Sequence, residues 1–227
     1  MCTSLISNRN RTIAGFNLDA RDLEYRVRAA KEGVYIEIHD AKEGWMPLFG
    51  ANDRGDFVGM PTCWPTDSRS DPEESGENII LLDIDLLMKK RTLEELRTVA
   101  ERKKIYSIPG LTFMSQLSDQ NGNVLQIVPG QGYRYFERPE HMVLTNFSPF
   151  KGNSGVHPLM GYDRYLKAEE LLGNVPDDFG VKDCFDVLRR VSQTVCPTRV
   201  SMVFDVTDRK VFWCEEQLWD EIRTVDL

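Results

Sequence analysis

Several things are missing from this chain, and each absence narrows what it can be. No Lys/Arg block or stripe is present. Across 227 residues, 28 Lys and Arg stand against 36 Asp and Glu, a formal charge of −8. Nucleic-acid surfaces announce themselves as basic patches, so no nucleic-acid partner is expected. No apolar run approaches the ~20 residues of a membrane span. No charged-then-apolar leader opens the sequence. The expectation is therefore a cytoplasmic protein without a membrane partner. The five cysteines (Cys2, Cys63, Cys184, Cys196 and Cys214) form no C-x-x-C pair. Odd and scattered, they read as free thiols in a reducing compartment. His39, His141 and His157 stand apart from one another and from any Cys at ligand spacing, so no metal site is expected. A phosphate-binding G-x-x-x-x-G-K-[ST] is absent. The lone G-x-G at Gly130-Gln131-Gly132 lies inside a hairpin and carries no phosphate signal. No cofactor is implied, and no internal repeat is visible.

What remains is the composition of an ordinary globular protein, 41% apolar and 28% charged. The length suits a single domain with a substantial core. Residues 2–7 and 12–17 read as two strands around the turn-like Asn8-Arg9-Asn10-Arg11. Alternation marks 34–38 as a strand, and 46–51 and 57–60 flank the turn signal Asn52-Asp53-Arg54-Gly55. The polar, Pro- and Gly-bearing stretch 65–78 reads as an exposed loop within the domain. Residues 79–90 are apolar and helical. Thr92-Leu93-Glu94-Glu95 is a capping box opening a helix whose apolar face is Leu93, Leu96, Val99 and Ala100. A second β region spans 111–146, with Asn121-Gly122 at a hairpin turn. Helices follow at 159–173, closed by Gly173-Asn174, and at 180–193. Strands at 199–206 and 210–214 finish the pattern, with an acidic, solvated tail beyond. Helices grouped between runs of strands define an α+β layered protein, residues 1–227 forming one domain.

One residue invites chemistry. Cys2 follows the initiator Met, and a small residue at position 2 normally permits removal of Met1. The exposed residue would carry a thiol and an α-amine, whose reference pKa of about 7.7–8.0 leaves much of it a neutral base near pH 7. A nucleophile a few bonds from a base is half of an amide-hydrolysing site. Alone, a small residue at position 2 needs no catalytic explanation.

Its company is more specific. Met1-Cys2-Thr3, Gly15-Phe16-Asn17-Leu18-Asp19 and Val143-Leu144-Thr145-Asn146 occur in that order. Pro109-Gly110-Leu111, the segment from Leu117 to Asn123, the helix from Asp163 to Leu172 and Ser201-Met202-Val203-Phe204-Asp205 fall between and after them. Together they resemble the choloylglycine hydrolase superfamily, N-terminal-nucleophile hydrolases of linear amides that include bile salt hydrolases and penicillin V acylases. The resemblance spans the chain and implies a four-layer αββα sandwich. It implies a small-molecule N-acyl substrate and leaves homo-oligomer formation open. By the same resemblance Cys2 is the nucleophile and Asp19 orients its amine. Asn146 is an oxyanion donor, and Arg199 is an active-site Arg. Cys63 falls where a second, backbone oxyanion donor is found, and equally reads as a half-buried Cys beside Trp64. Acyl transfer through the same nucleophile, or a non-catalytic protein on the same fold, are the alternatives. Two features depart from the family: Phe16 stands where Arg is common, and the chain ends 28 residues after Arg199. The first removes a cation that would favour the thiolate, which argues against bile-salt and penicillin substrates. The second predicts altered pocket walls.

Overall fold

In the computed structural model, residues 1–66, 71–72, 75–150, 159–175 and 178–227 are described below. Seventeen strands and four helices follow one another along these residues. The first strands are β1 (Cys2–Ser7), β2 (Ile13–Asp19), β3 (Tyr25–Ala30), β4 (Gly33–Asp40), β5 (Gly44–Asn52), β6 (Phe57–Gly59), β7 (Thr62–Cys63) and β8 (Glu77–Asn78). Two helices come next, α1 (Ile79–Leu87) and α2 (Leu93–Arg102). Then come β9 (Ile105–Tyr106), β10 (Thr112–Phe113), β11 (Ser115–Ser118), β12 (Val124–Val128), β13 (Gly132–Phe136) and β14 (His141–Leu144). The chain closes with α3 (Tyr162–Gly173), α4 (Val181–Arg190), β15 (Thr198–Asp205), β16 (Lys210–Glu215) and β17 (Arg223–Asp226).

Two antiparallel sheets face each other. One runs β14-β1-β2-β15-β16-β17, the other β13-β12-β11-β6-β5-β4-β3. Helices α1 and α2 cover the second sheet, while α3 and α4 cover the first, which gives the four-layer αββα sandwich. Period-two alternation divides β1 between two layers. Ile6 and Cys2 enter the core between the sheets, whereas Leu5 joins Val203, Leu172 and Leu188 beneath the helices. Gly15 lets α4 press on the sheet, because a Cβ there would meet Cys184 Sγ at 2.6 Å.

Several expectations hold. The β1–β2 hairpin pairs Cys2 with Leu18 and Ser7 with Ile13. Thr92 and Glu95 close a reciprocal capping box. The turn at 119–123 joins β11 to β12. Others shift. Helix α1 stops at Leu87, and Lys89 turns left-handed at φ 58°. Of the expected loop 65–78, residues 67–70 and 73–74 lie outside the described residues, Asp71 and Pro72 are exposed, and Glu77 and Asn78 pair in parallel with β9. His157 also lies outside the described residues.

Two strands of the main sheets, β3 and β17, were not expected, nor were the two-residue strands β7, β8 and β9. Edge strand β3 carries Arg26 and Arg28, which ion-pair with Glu37 and lie over the Trp45 and Tyr35 rings. Charged side chains are a normal way to blunt a sheet edge, and they break up the apolar pattern that marks a strand in sequence. Likewise β17 extends the first sheet at the end of a segment that composition alone marks as an acidic tail.

Candidate active site

Cys2 begins β1, and three elements converge on the backbone of Cys2 and of Met1 before it. From the end of β14, Asn146 Oδ1 accepts the Cys2 N–H at 3.0 Å. From α3, Arg164 Nη1 donates to Cys2 O and to Thr3 Oγ1, both at 2.7 Å. From β2, Asp19 O accepts the Met1 amine at 2.5 Å, and Asp19 N–H returns to Met1 O at 2.8 Å. Cys196 Sγ lies 3.9 Å from the same amine.

Asp19 is buried and its carboxylate is well supplied with donors. Thr198 Oγ1 and Gln193 Nε2 each donate at 2.6 Å, and Arg164 Nη1 lies at 3.5 Å. Burial raises its carboxyl, while Thr198, Arg164 and Gln193 pull it back. The expected direct hold on the Cys2 amine takes a different form here. With Met1 in place, Asp19 reaches Cys2 through Arg164 and through its own main chain.

Asn146 has all its amide groups committed. Oδ1 receives Cys2 N–H and Arg164 Nη2 at 2.7 Å, so it must be the oxygen. Nδ2 faces the other way, donating to Thr62 O at 2.7 Å and Thr62 Oγ1 at 3.1 Å. Segment 62–64 wraps the same residue, since Trp64 N–H donates to Asn146 O at 2.7 Å. Cys63 therefore sits beside Asn146, but its buried side chain packs among Met114, Val128 and Leu144.

Arg199 is not brought into this cluster. Its guanidinium donates to Glu216 Oε1 at 2.7 Å and Arg21 O at 3.2 Å, and lies 5.3 Å from the Tyr25 ring. The reason is a register irregularity between Thr198 and Val200. Thr198 turns to Asp19, whereas Arg199 reaches across to β3 of the facing sheet. It clasps the two sheets and anchors the backbone after β2.

Phe16 is buried between the sheets and stacks on Phe49, centroids 4.7 Å apart. The thiol of Cys2 belongs to that same apolar layer. Burial pushes it up to about 11, against the downward pull of the Met1 amine. With Met1 attached, the thiol is protonated at neutral pH.

Arg164 is the residue that sequence reasoning missed. It occupies the buried stripe of α3 with Ala168 and Leu172, and a cation there was the available signal. Gly161 makes room for it: the residue caps α3 at φ 76°, and a Cβ would come within 2.6 Å of Arg164 Nη2. A cleft of about 400 Å³ borders the cluster, lined by Leu144 and Thr145 before Asn146, by Phe147 and Ser148 after it, and by Tyr162 and Tyr165 of α3. That is within the ordinary size range for small-molecule sites. Among the described residues, no group of His, Cys, Asp and Glu could hold a metal ion.

This architecture is the four-layer αββα sandwich of the N-terminal-nucleophile hydrolase type. The C2A mutant of conjugated bile acid hydrolase from Clostridium perfringens superposes with a TM-score of 0.69 at 14% identity, over 100% of this chain and 92% of that one. Penicillin V acylase from Agrobacterium tumefaciens gives 0.67 at 17% identity, over 100% and 86%. The N-acylethanolamine-hydrolyzing acid amidase ortholog of Caenorhabditis elegans gives 0.59 at 17% identity, over the whole of both chains. No family model matches the chain, and no curated protein sequence matches it.

Proposed function

We propose that the chain, once Met1 is removed, is a cysteine amidase that hydrolyses a linear, non-peptide C–N bond in a small N-acyl compound. The observation that carries this reading is the place of Cys2 N, 3.0 Å from Asn146 Oδ1 in a buried polar cluster. Removal of Met1 leaves a free amine at that point, beside its own thiol.

The amine takes the thiol proton, and sulfur attacks the amide carbon. The carbonyl electron pair becomes an oxyanion, for which the donors are Asn146 Nδ2, exchanging its bonds to Thr62 for the substrate, and a backbone N–H near Cys63. Losing one such donor typically costs ~10²–10³ in rate. Collapse breaks the C–N bond, the Cys2 ammonium returns its proton to the leaving amine, and a thioester remains. Water gives a proton to the Cys2 amine and attacks the thioester, releasing the acid and restoring the thiol. No step calls for a metal or cofactor. Leu18, paired with Cys2 across the hairpin, and Phe16 and Phe49 of the same apolar layer favour an apolar acyl group, held from the cleft around Asn146.

Intact mass and iodoacetamide labelling test the reading. The protein should lack Met1, label fast at Cys2, and lose at least about 10⁴-fold in turnover as Cys2→Ala. Retained Met1 with Cys2 no faster than the other thiols overturns it. Penicillin V, glycine- and taurine-conjugated bile acids, N-acyl amino acids and N-acylethanolamines form the substrate panel. Bile-salt turnover is expected to be weak, because Phe16 offers no cation.

A further inference from the structure

Met1 is itself held like a ligand. It lies opposite Asp19, where its ammonium donates to Asp19 O at 2.5 Å and its carbonyl accepts the Asp19 N–H at 2.8 Å. Cys196 Sγ stands 3.9 Å from the ammonium. Burial raises the Asp19 carboxyl, and the Met1 charge is among those that pull it back, so carboxylate and ammonium act on each other. Met1 and Cys196 are only partly buried, which leaves this place open to solvent. The flanking guanidiniums are bonded elsewhere: Arg164 to Cys2, Thr3 and Asn146, and Arg21 to Val195 O at 2.6 Å.

When Met1 is removed, the Cys2 nitrogen gains a hydrogen where it was bonded to the Met1 carbon. That N–H points along the line Met1 took. The leaving nitrogen of a substrate has to come within about 3 Å of Cys2 N to collect its proton. Whatever that nitrogen carries is therefore laid along the same line. The main-chain N–H and C=O of buried Asp19, once freed of Met1, need partners there. The dimensions of one residue put the ammonium position roughly 3–4 Å from Cys2 N.

We propose that the place Met1 holds is the leaving-group subsite of the mature enzyme, and that it selects N-acyl diamines whose second, protonated amine stands two or three carbons from the scissile nitrogen. This rests on the reading of Cys2 as nucleophile and names the substrate class of that site. The second amine takes the position of the Met1 ammonium, donating to Asp19 O within the field of the Asp19 carboxylate. Such a charge-assisted bond is stronger than a neutral one. An anionic leaving group would set its charge against the same oxygen and carboxylate, and is disfavoured. As the C–N bond breaks, Sγ keeps the acyl group and the leaving nitrogen takes the proton of the Cys2 ammonium. The diamine then departs through the open side.

The test uses the mature enzyme and one acyl group, the best of the panel, joined to 1,2-diaminoethane, ethanolamine, propylamine or β-alanine. At pH 7 kcat/KM should be about 10–10²-fold higher for the diaminoethane amide than for the propyl amide, and lowest for the β-alanine amide. Chloroacetamides of the same four amines give a readout that does not depend on the acyl group. Sγ displaces chloride, and the rate of Cys2 alkylation should follow the same order. Cys196→Lys brings a second cation to the subsite and should cut the ratio of diaminoethane to propyl rates at least about tenfold. That ratio is internal to each protein, so a general loss of activity does not move it. Equal rates for the diaminoethane and propyl compounds overturn the proposal while amide hydrolysis at Cys2 stands, and so does a ratio that Cys196→Lys leaves unchanged. An ethanolamine compound as fast as the diaminoethane one overturns the choice of a cation. Should Cys196→Lys fail to fold, the wild-type rates decide alone. Slow labelling of Cys2 by every reagent is a separate result, which removes the amidase reading and this proposal with it.

Discussion

Each helix layer buries an ionisable side chain against its sheet, and the two are treated differently. Under α3, Arg164 is met by four oxygen acceptors from two strands and the Asn146 turn. Under α1, Asp83 receives one bond, from Ser115 Oγ at 2.6 Å, and its Oδ1 has no partner. Burial raises the Asp83 carboxyl well above its usual range, with Ser115 a weaker opposing pull. The contrast separates a site from a scaffold. A charge surrounded by matched acceptors organises what it touches. A carboxyl with one hydroxyl for company is pushed towards its neutral form.

The largest expected effect lies on the Arg164 side. Arg164→Met should lower stability by about 3–5 kcal/mol, because it strands Asp19 in the interior without its cation. Urea unfolding at neutral pH measures this, and a loss below about 1 kcal/mol would erase the distinction between the two layers. Asp83 should respond in the opposite sense. Its folded pKa is raised, so its contribution to stability is full below the unfolded value of about 3.9 and fades as pH rises through the folded value. Asp83→Asn removes that slope. Relative to wild type it should gain stability from pH 4.5 to pH 8, by about 1–3 kcal/mol. A difference between the two proteins that stays flat with pH would mean that Asp83 is ionised in the fold. The smallest effect belongs to Gly161→Ala, which forces a side chain into left-handed backbone and towards Arg164 Nη2. About 1–2 kcal/mol of stability should be lost, with a drop in turnover if Arg164 is displaced.

Legibility followed the range of the forces involved. The capping box at Thr92, the Asn-Gly hairpin and the alternation of β1, β4 and β15 are local, and they read correctly from neighbours in sequence. Strands β3 and β17 did not, because what makes them strands is the partner they pair with. The site divides the same way. Cys2, Asp19 and Asn146 do meet, as their resemblance implied. Arg199 carries the same kind of charge as Arg164, yet a register irregularity sends it to Glu216 and Tyr25 instead. No local pattern encodes that exchange.

By itself, the sequence determined the layer composition, the hairpin that begins at Cys2 and the chemical types gathered for the site. Those depend on periodicity, turn residues and side-chain chemistry. Only the tertiary structure decided that Arg164 rather than Arg199 bonds to Cys2, that Asn146 points its oxygen at Cys2 N and its nitrogen at Thr62, and that the thiol lies in the apolar layer beside Phe16. Those depend on which buried donors find acceptors, a condition set jointly by residues as far apart as 2 and 164.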